Sequence, residues 1–128
     1  MDNTQKYLSE LHKEHVQWTK KLNFAKDEIK TFQNRLSEIV MANTKTEVLA
    51  SLEHFQNQFI RQNEVIDEIL HIIHLEEDKI VANAKQNNVA TDHRKAAENE
   101  DLVDQMVSFE KIFAELKEEF KKYLSNVL

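Results

Sequence analysis

Apolar residues recur along this chain at alternating spacings of three and four, and the rhythm is broken in only two places. The first run is Leu8, Leu11, His15, Trp18, Leu22, Ala25, Ile29, Phe32, Leu36 and Ile39, a heptad repeat with one histidine inside it. Glu14, Lys21, Glu28 and Arg35 flank it, the kind of charge that borders a helix–helix seam. This run predicts a helix over about 4–42. The second run is Leu49, Leu52, Gln56, Phe59, Asn63, Ile66, Leu70, Ile73, Glu77, Ile80 and Ala84, and it predicts a helix over about 47–86. Phe55, Ile60, Ile69 and Val81 widen its stripe, as a helix touching two neighbours requires. A third run, Asn99, Leu102, Met106, Phe109, Phe113, Leu116, Phe120, Tyr123 and Val127, predicts a helix over about 93–126.

The two breaks carry their own signals. Asn43 takes readily to the left-handed conformation that ends a helix, and Thr44-Lys45-Thr46-Glu47 has the T-x-x-E spacing of a capping box. Asn87-Asn88 closes the second helix, and Thr91 or Asp92 is the expected N-cap of the third. Connections this short fold each helix back antiparallel on the one before. With a rise of 1.5 Å per residue, such helices make a rod about 50–60 Å long. The expected fold is therefore all-α: a single domain over residues 1–128, built as an elongated antiparallel three-helix bundle with coiled-coil-like heptad packing.

Composition strengthens this reading. The 128 residues include no glycine and no proline, where average usage gives roughly 9 and 6. A β-rich fold needs both for its turns. The net charge of −6 disfavours binding to nucleic acid or to anionic membranes, each of which selects a basic surface. With no cysteine, disulfides, thiolate zinc sites and thiol catalysis are excluded. The polar start MDNTQKYLSE is no signal peptide, and no apolar run approaches the ~20 residues of a membrane span, so a cytoplasmic location is expected.

Candidate chemistry is sparse. Ferritin-like di-iron sites need two E-x-x-H motifs on separate helices, and this chain has one, Glu68 to His71, on outward positions. A better grouping follows from folding the first two helices around 43–46. Facing residues then have numbers adding to about 89, which sets His15 level with His74 and His12 level with Glu77. His15, His74 and Glu77, with His12 in reach, form a candidate set for zinc or iron. The same residues also make sense as a polar layer that fixes register without any ligand, and that is the expected role. No cofactor is expected. Gln56 and Asn63 read as hydrogen-bonded register devices, with Gln33 opposite Gln56. No Gly-rich phosphate loop exists, so no enzymatic activity is expected.

One feature points outward. Helix 2 is apolar nearly all round between Val65 and Leu75, more than its seam needs. Val65, Ile69, Ile72 and Leu75 form a candidate interface, because contiguous exposed apolar surface usually means a partner. The function expected from sequence is an interaction or scaffold protein that pairs with a second copy as a homodimer or with another helical protein. The competing expectation is a small metal-binding bundle.

Overall fold

The computed structural model describes residues 3–42, 45–86 and 89–127, with side chains described for 7–42, 45–82 and 99–127. It holds three helices: α1 (Asn3–Ala42), α2 (Thr46–Gln86) and α3 (Val89–Val127). No strand occurs among the described residues. They pack as an antiparallel bundle in which α2 lies against both neighbours, while α1 and α3 touch each other least. Among the described residues, no helix is long and apolar enough to cross a membrane.

The α1 seam is buried as its heptad requires: Leu8, Leu11, His15, Trp18, Leu22, Ala25, Ile29, Leu36 and Ile39 are shielded, with Phe32 half-buried against them. In α3, Leu102, Met106, Phe109, Phe113, Leu116 and Phe120 do the same. In α2 the buried set differs from a single strict seam. Leu52, Phe59, Ile66, Ile73 and Ile80 form one deep column, and Phe55, Gln62, Ile69 and Glu76 form the other. Gln56, Asn63, Leu70 and Glu77, expected at the centre, are only half-buried. A helix wedged between two neighbours buries a broader arc than a seam facing one partner.

Helix ends also depart from expectation. The Leu49 N–H donates to the Lys45 carbonyl at 3.0 Å, just ahead of Thr46 where α2 begins, while the expected cap Thr44 lies outside the described residues. Glu47 then supplies negative charge to the first turn, where the helix dipole favours it. Helix α3 begins at Val89, four residues before the expected start, because Val89 and Ala90 carry nothing that opposes a helix. Thr91 and Asp92 lie inside its backbone, and what their side chains do lies outside the described residues, as do Asn43, Thr44, Asn87 and Asn88.

Packing fixes the register. Phe32 of α1 meets Phe59 of α2 at 5.4 Å between ring centroids, and Phe120 of α3 meets Phe32, Phe55 and Phe59 at 5.5, 5.3 and 5.2 Å. The Tyr123 hydroxyl donates to the Val48 carbonyl at 3.3 Å beside them. Lys26 pairs with Asp67 across α1 and α2, and Lys117 with Glu28 across α3 and α1 at 3.3 Å. Facing numbers in α1 and α2 therefore add to about 91, two more than the connection alone suggested, or roughly half a turn.

Candidate functional site

The main core runs from Trp18 to the aromatic end, and a second, smaller core of Leu8, Leu11 and Ile80 lies beyond it. A polar layer separates them. His15 occupies a seam position of α1 and is 1% exposed. Its Nδ1 lies 2.6 Å from Glu77 Oε1, and His12 Nδ1, one turn earlier, lies 2.7 Å from Glu77 Oε2. One carboxylate on α2 thus accepts from two imidazoles on α1. The i, i+3 spacing of His12 and His15 puts both rings on the same side of the helix.

With Nδ1 donating to a carboxylate, the neutral His15 ring carries its lone pair on Nε2. That atom is buried and has no hydrogen-bond partner. The ring rests on Trp18, 5.7 Å between centroids, and the Thr19 hydroxyl donates to the His15 carbonyl at 2.8 Å. A shallow cleft of about 290 Å³ opens here, lined in part by His12, His15, Val16 and Glu77.

The expected metal set is not assembled. His74 is 76% exposed and lies 3.8 Å from Asp78 on its own helix, away from the layer. The physical reason is register: the shift toward higher facing numbers brings Glu77, not His74, level with His15. Among the described residues, no three His, Cys, Asp or Glu side chains are arranged to hold one metal ion. Two zinc ligands, each about 2.0–2.2 Å from a tetrahedral ion, sit roughly 3.3 Å apart. The 2.6 and 2.7 Å separations in this layer are hydrogen-bond distances. Glu68 and His71 are both exposed, and Arg61 reaches Glu68 at 3.6 Å.

The amide positions also read differently in three dimensions. Gln56 Oε1 and Asn63 Oδ1 are buried without a hydrogen-bond partner, so the expected register bonds do not reach those oxygens. Sequence reasoning missed Gln62, which is 5% exposed with an unpartnered Oε1, and Glu76, which is buried and lies 3.3 Å from Lys79. The signal was present: Gln62 falls midway between Phe55 and Ile69 at heptad spacing, and Glu76 is the next step.

Of the candidate interface residues, Ile69 belongs to the core at 1% exposure. Val65 and Ile72 are half-buried against it, and Leu75 is 44% exposed. The patch is thus narrower than the sequence suggested, since α3 covers one of its four members. Val65 and Ile69 line a groove of about 310 Å³ between α2 and α3, which Gln62, Phe109 and the half-exposed Ile112 share. A second apolar cleft of about 490 Å³ lies where α1 ends and α2 begins, between Leu36, Val40, Met41, Leu49 and Leu52.

Compared with protein-family models, curated proteins and solved structures, the chain matches none.

Proposed function

We propose that this chain is a non-enzymatic interaction protein whose work is to take a further helix against the bundle. The observation that carries the reading is the α2–α3 groove, where the half-buried Val65 and the half-exposed Ile112 present apolar surface above the buried Ile69 and Phe109. A groove of this form is what an amphipathic helix fills with residues spaced three and four apart. The molecule also exposes 8604 Å², against roughly 7,100 Å² for a compact monomer of its mass. Its long sides have room for an interface above about 1,000 Å², the size a specific complex needs. Both imidazoles of the polar layer are engaged by Glu77, which suits a layer that sets register.

Binding of a helix, its own or another's, is the measurable content. Light scattering on the purified chain reads self-association as a rise from 15.1 kDa to twice that mass, reversed by Ile72→Glu with Leu75→Glu. Fluorescence anisotropy with labelled amphipathic helical peptides reads binding of a foreign helix. A chain that stays monomeric at high concentration and binds no such peptide overturns the reading.

A further inference from the structure

The charge on this bundle is unevenly divided. Helix α1 carries seven Lys and Arg against five Asp and Glu, α2 three against eight, and α3 six against nine, giving net charges of +2, −5 and −3. The α2–α3 groove therefore lies between the two acidic helices. At its rim Arg61 is paired with Glu64 at 3.2 Å and Glu68 at 3.6 Å, so its positive charge is met within α2, and Asp104 stands on the α3 side. In the groove lining, Gln62 is 5% exposed and its Oε1 lacks a hydrogen-bond partner. A buried amide oxygen without a donor is a cost to the isolated chain that an incoming N–H removes.

Resting on the interaction reading above, we propose that the α2–α3 groove binds a basic amphipathic helix from another protein, seated on Val65 and Ile112, flanked by Glu68 and Asp104, and donating a hydrogen bond to Gln62 Oε1. Charge argues against a second copy in the same place. A two-fold contact would set one acidic groove against another, and like charges across an interface are unfavourable. A helix with Leu or Ile on one face and Lys or Arg beside it meets both the apolar surface and the acidic rim. It also brings donors long enough to reach the Gln62 oxygen, which an acidic helix lacks.

The probe is a labelled synthetic helix of about 20 residues with a leucine stripe flanked by lysines, compared with the same peptide bearing glutamates instead. Anisotropy is read against the full chain at low and moderate salt. The lysine peptide is expected to bind at least tenfold more tightly, and to weaken as salt is added. Asp104→Lys should weaken it several-fold and shift preference toward the glutamate peptide. Ile112→Lys, at a half-exposed position that the fold does not need, should abolish binding while leaving the helical circular dichroism unchanged. Gln62→Leu should raise the melting temperature of the free chain yet weaken the peptide complex.

Equal binding of both peptides, or binding that survives Ile112→Lys and Asp104→Lys, overturns this assignment while leaving the chain an interaction protein. So does a homodimer that Ile112→Lys dissociates, since the groove's occupant is then a second copy. If neither peptide binds and the chain is monomeric, the interaction reading itself falls.

Discussion

His15 occupies a position where the heptad of α1 calls for an apolar side chain, and it is held there by a single carboxylate. The consequences of changing either partner are unequal. In His15→Leu a side chain of similar volume bridges Trp18 and Leu11, joining the two cores and removing an unpartnered nitrogen. Glu77 keeps His12 as partner and is 25% exposed, so it loses little. Stability in His15→Leu is therefore expected to stay equal or rise. Glu77→Ala does the opposite: it leaves the buried imidazole with no partner on either nitrogen, at a cost of about 1–3 kcal/mol. Urea midpoints of the two variants check the pair, and a loss in His15→Leu as large as in Glu77→Ala would refute the account. Added zinc should leave the melting temperature of the native chain unchanged. A rise that vanishes in His15→Leu would mean that the imidazoles leave Glu77 for a metal.

Among the helices, the far end of the bundle carries a cluster of aromatic rings from all three. Phe120 is fully buried and touches aromatic rings from both other helices, so Phe120→Ala is expected to destabilise by about 3–5 kcal/mol. Phe24 is 66% exposed on α1, and Phe24→Ala should stay within about 0.5 kcal/mol of the native chain. Thermal melts of the two variants give the contrast, which a sequence-only view of two phenylalanines would not provide. How far the sequence could be read depended on how many partners an element has. Helix α1 turns one face inward, and each seam residue from Leu8 to Ile39 is buried or packed on the core. Helix α2 serves two neighbours, and its second deep column runs through Phe55, Gln62, Ile69 and Glu76. Periodicity picks out the apolar Phe55 and Ile69 but sets beside them Ile60 and Val81, which are exposed, and passes over the two polar members. The candidate site suffered most from this. The pairing of His12 with Glu77 followed from the short connection, whereas His74 was displaced because a register is set by side-chain packing to a fraction of a turn, which residue counting does not resolve.

At the scale of the molecule, the three helices of 40, 41 and 39 residues leave little chain outside helix. Circular dichroism should report more than about 75% helix, far above the ~30–35% usual in globular proteins. Shape is the sharper test, because a high helix content is shared by compact bundles of shorter helices. A helix of 40 residues is about 60 Å long, and three laid side by side form a rod about 20–25 Å across. Such a rod has a radius of gyration of about 19 Å, against about 14 Å for a compact domain of this length. The elongation follows from the sequence rhythm: with no glycine or proline to break them, the heptads run on, and each helix stays in one piece. It also explains why the lysine–carboxylate pairs between helices, Lys21–Glu110, Lys26–Asp67 and Lys117–Glu28, lie along the rod's flanks, and why its grooves are open. Small-angle scattering, extrapolated to zero concentration so that association does not enter, should give the larger radius and a maximum dimension near 60 Å. A value near 14 Å would mean that the helices break and fold back on themselves in solution, and the α2–α3 groove would then not exist in the form described.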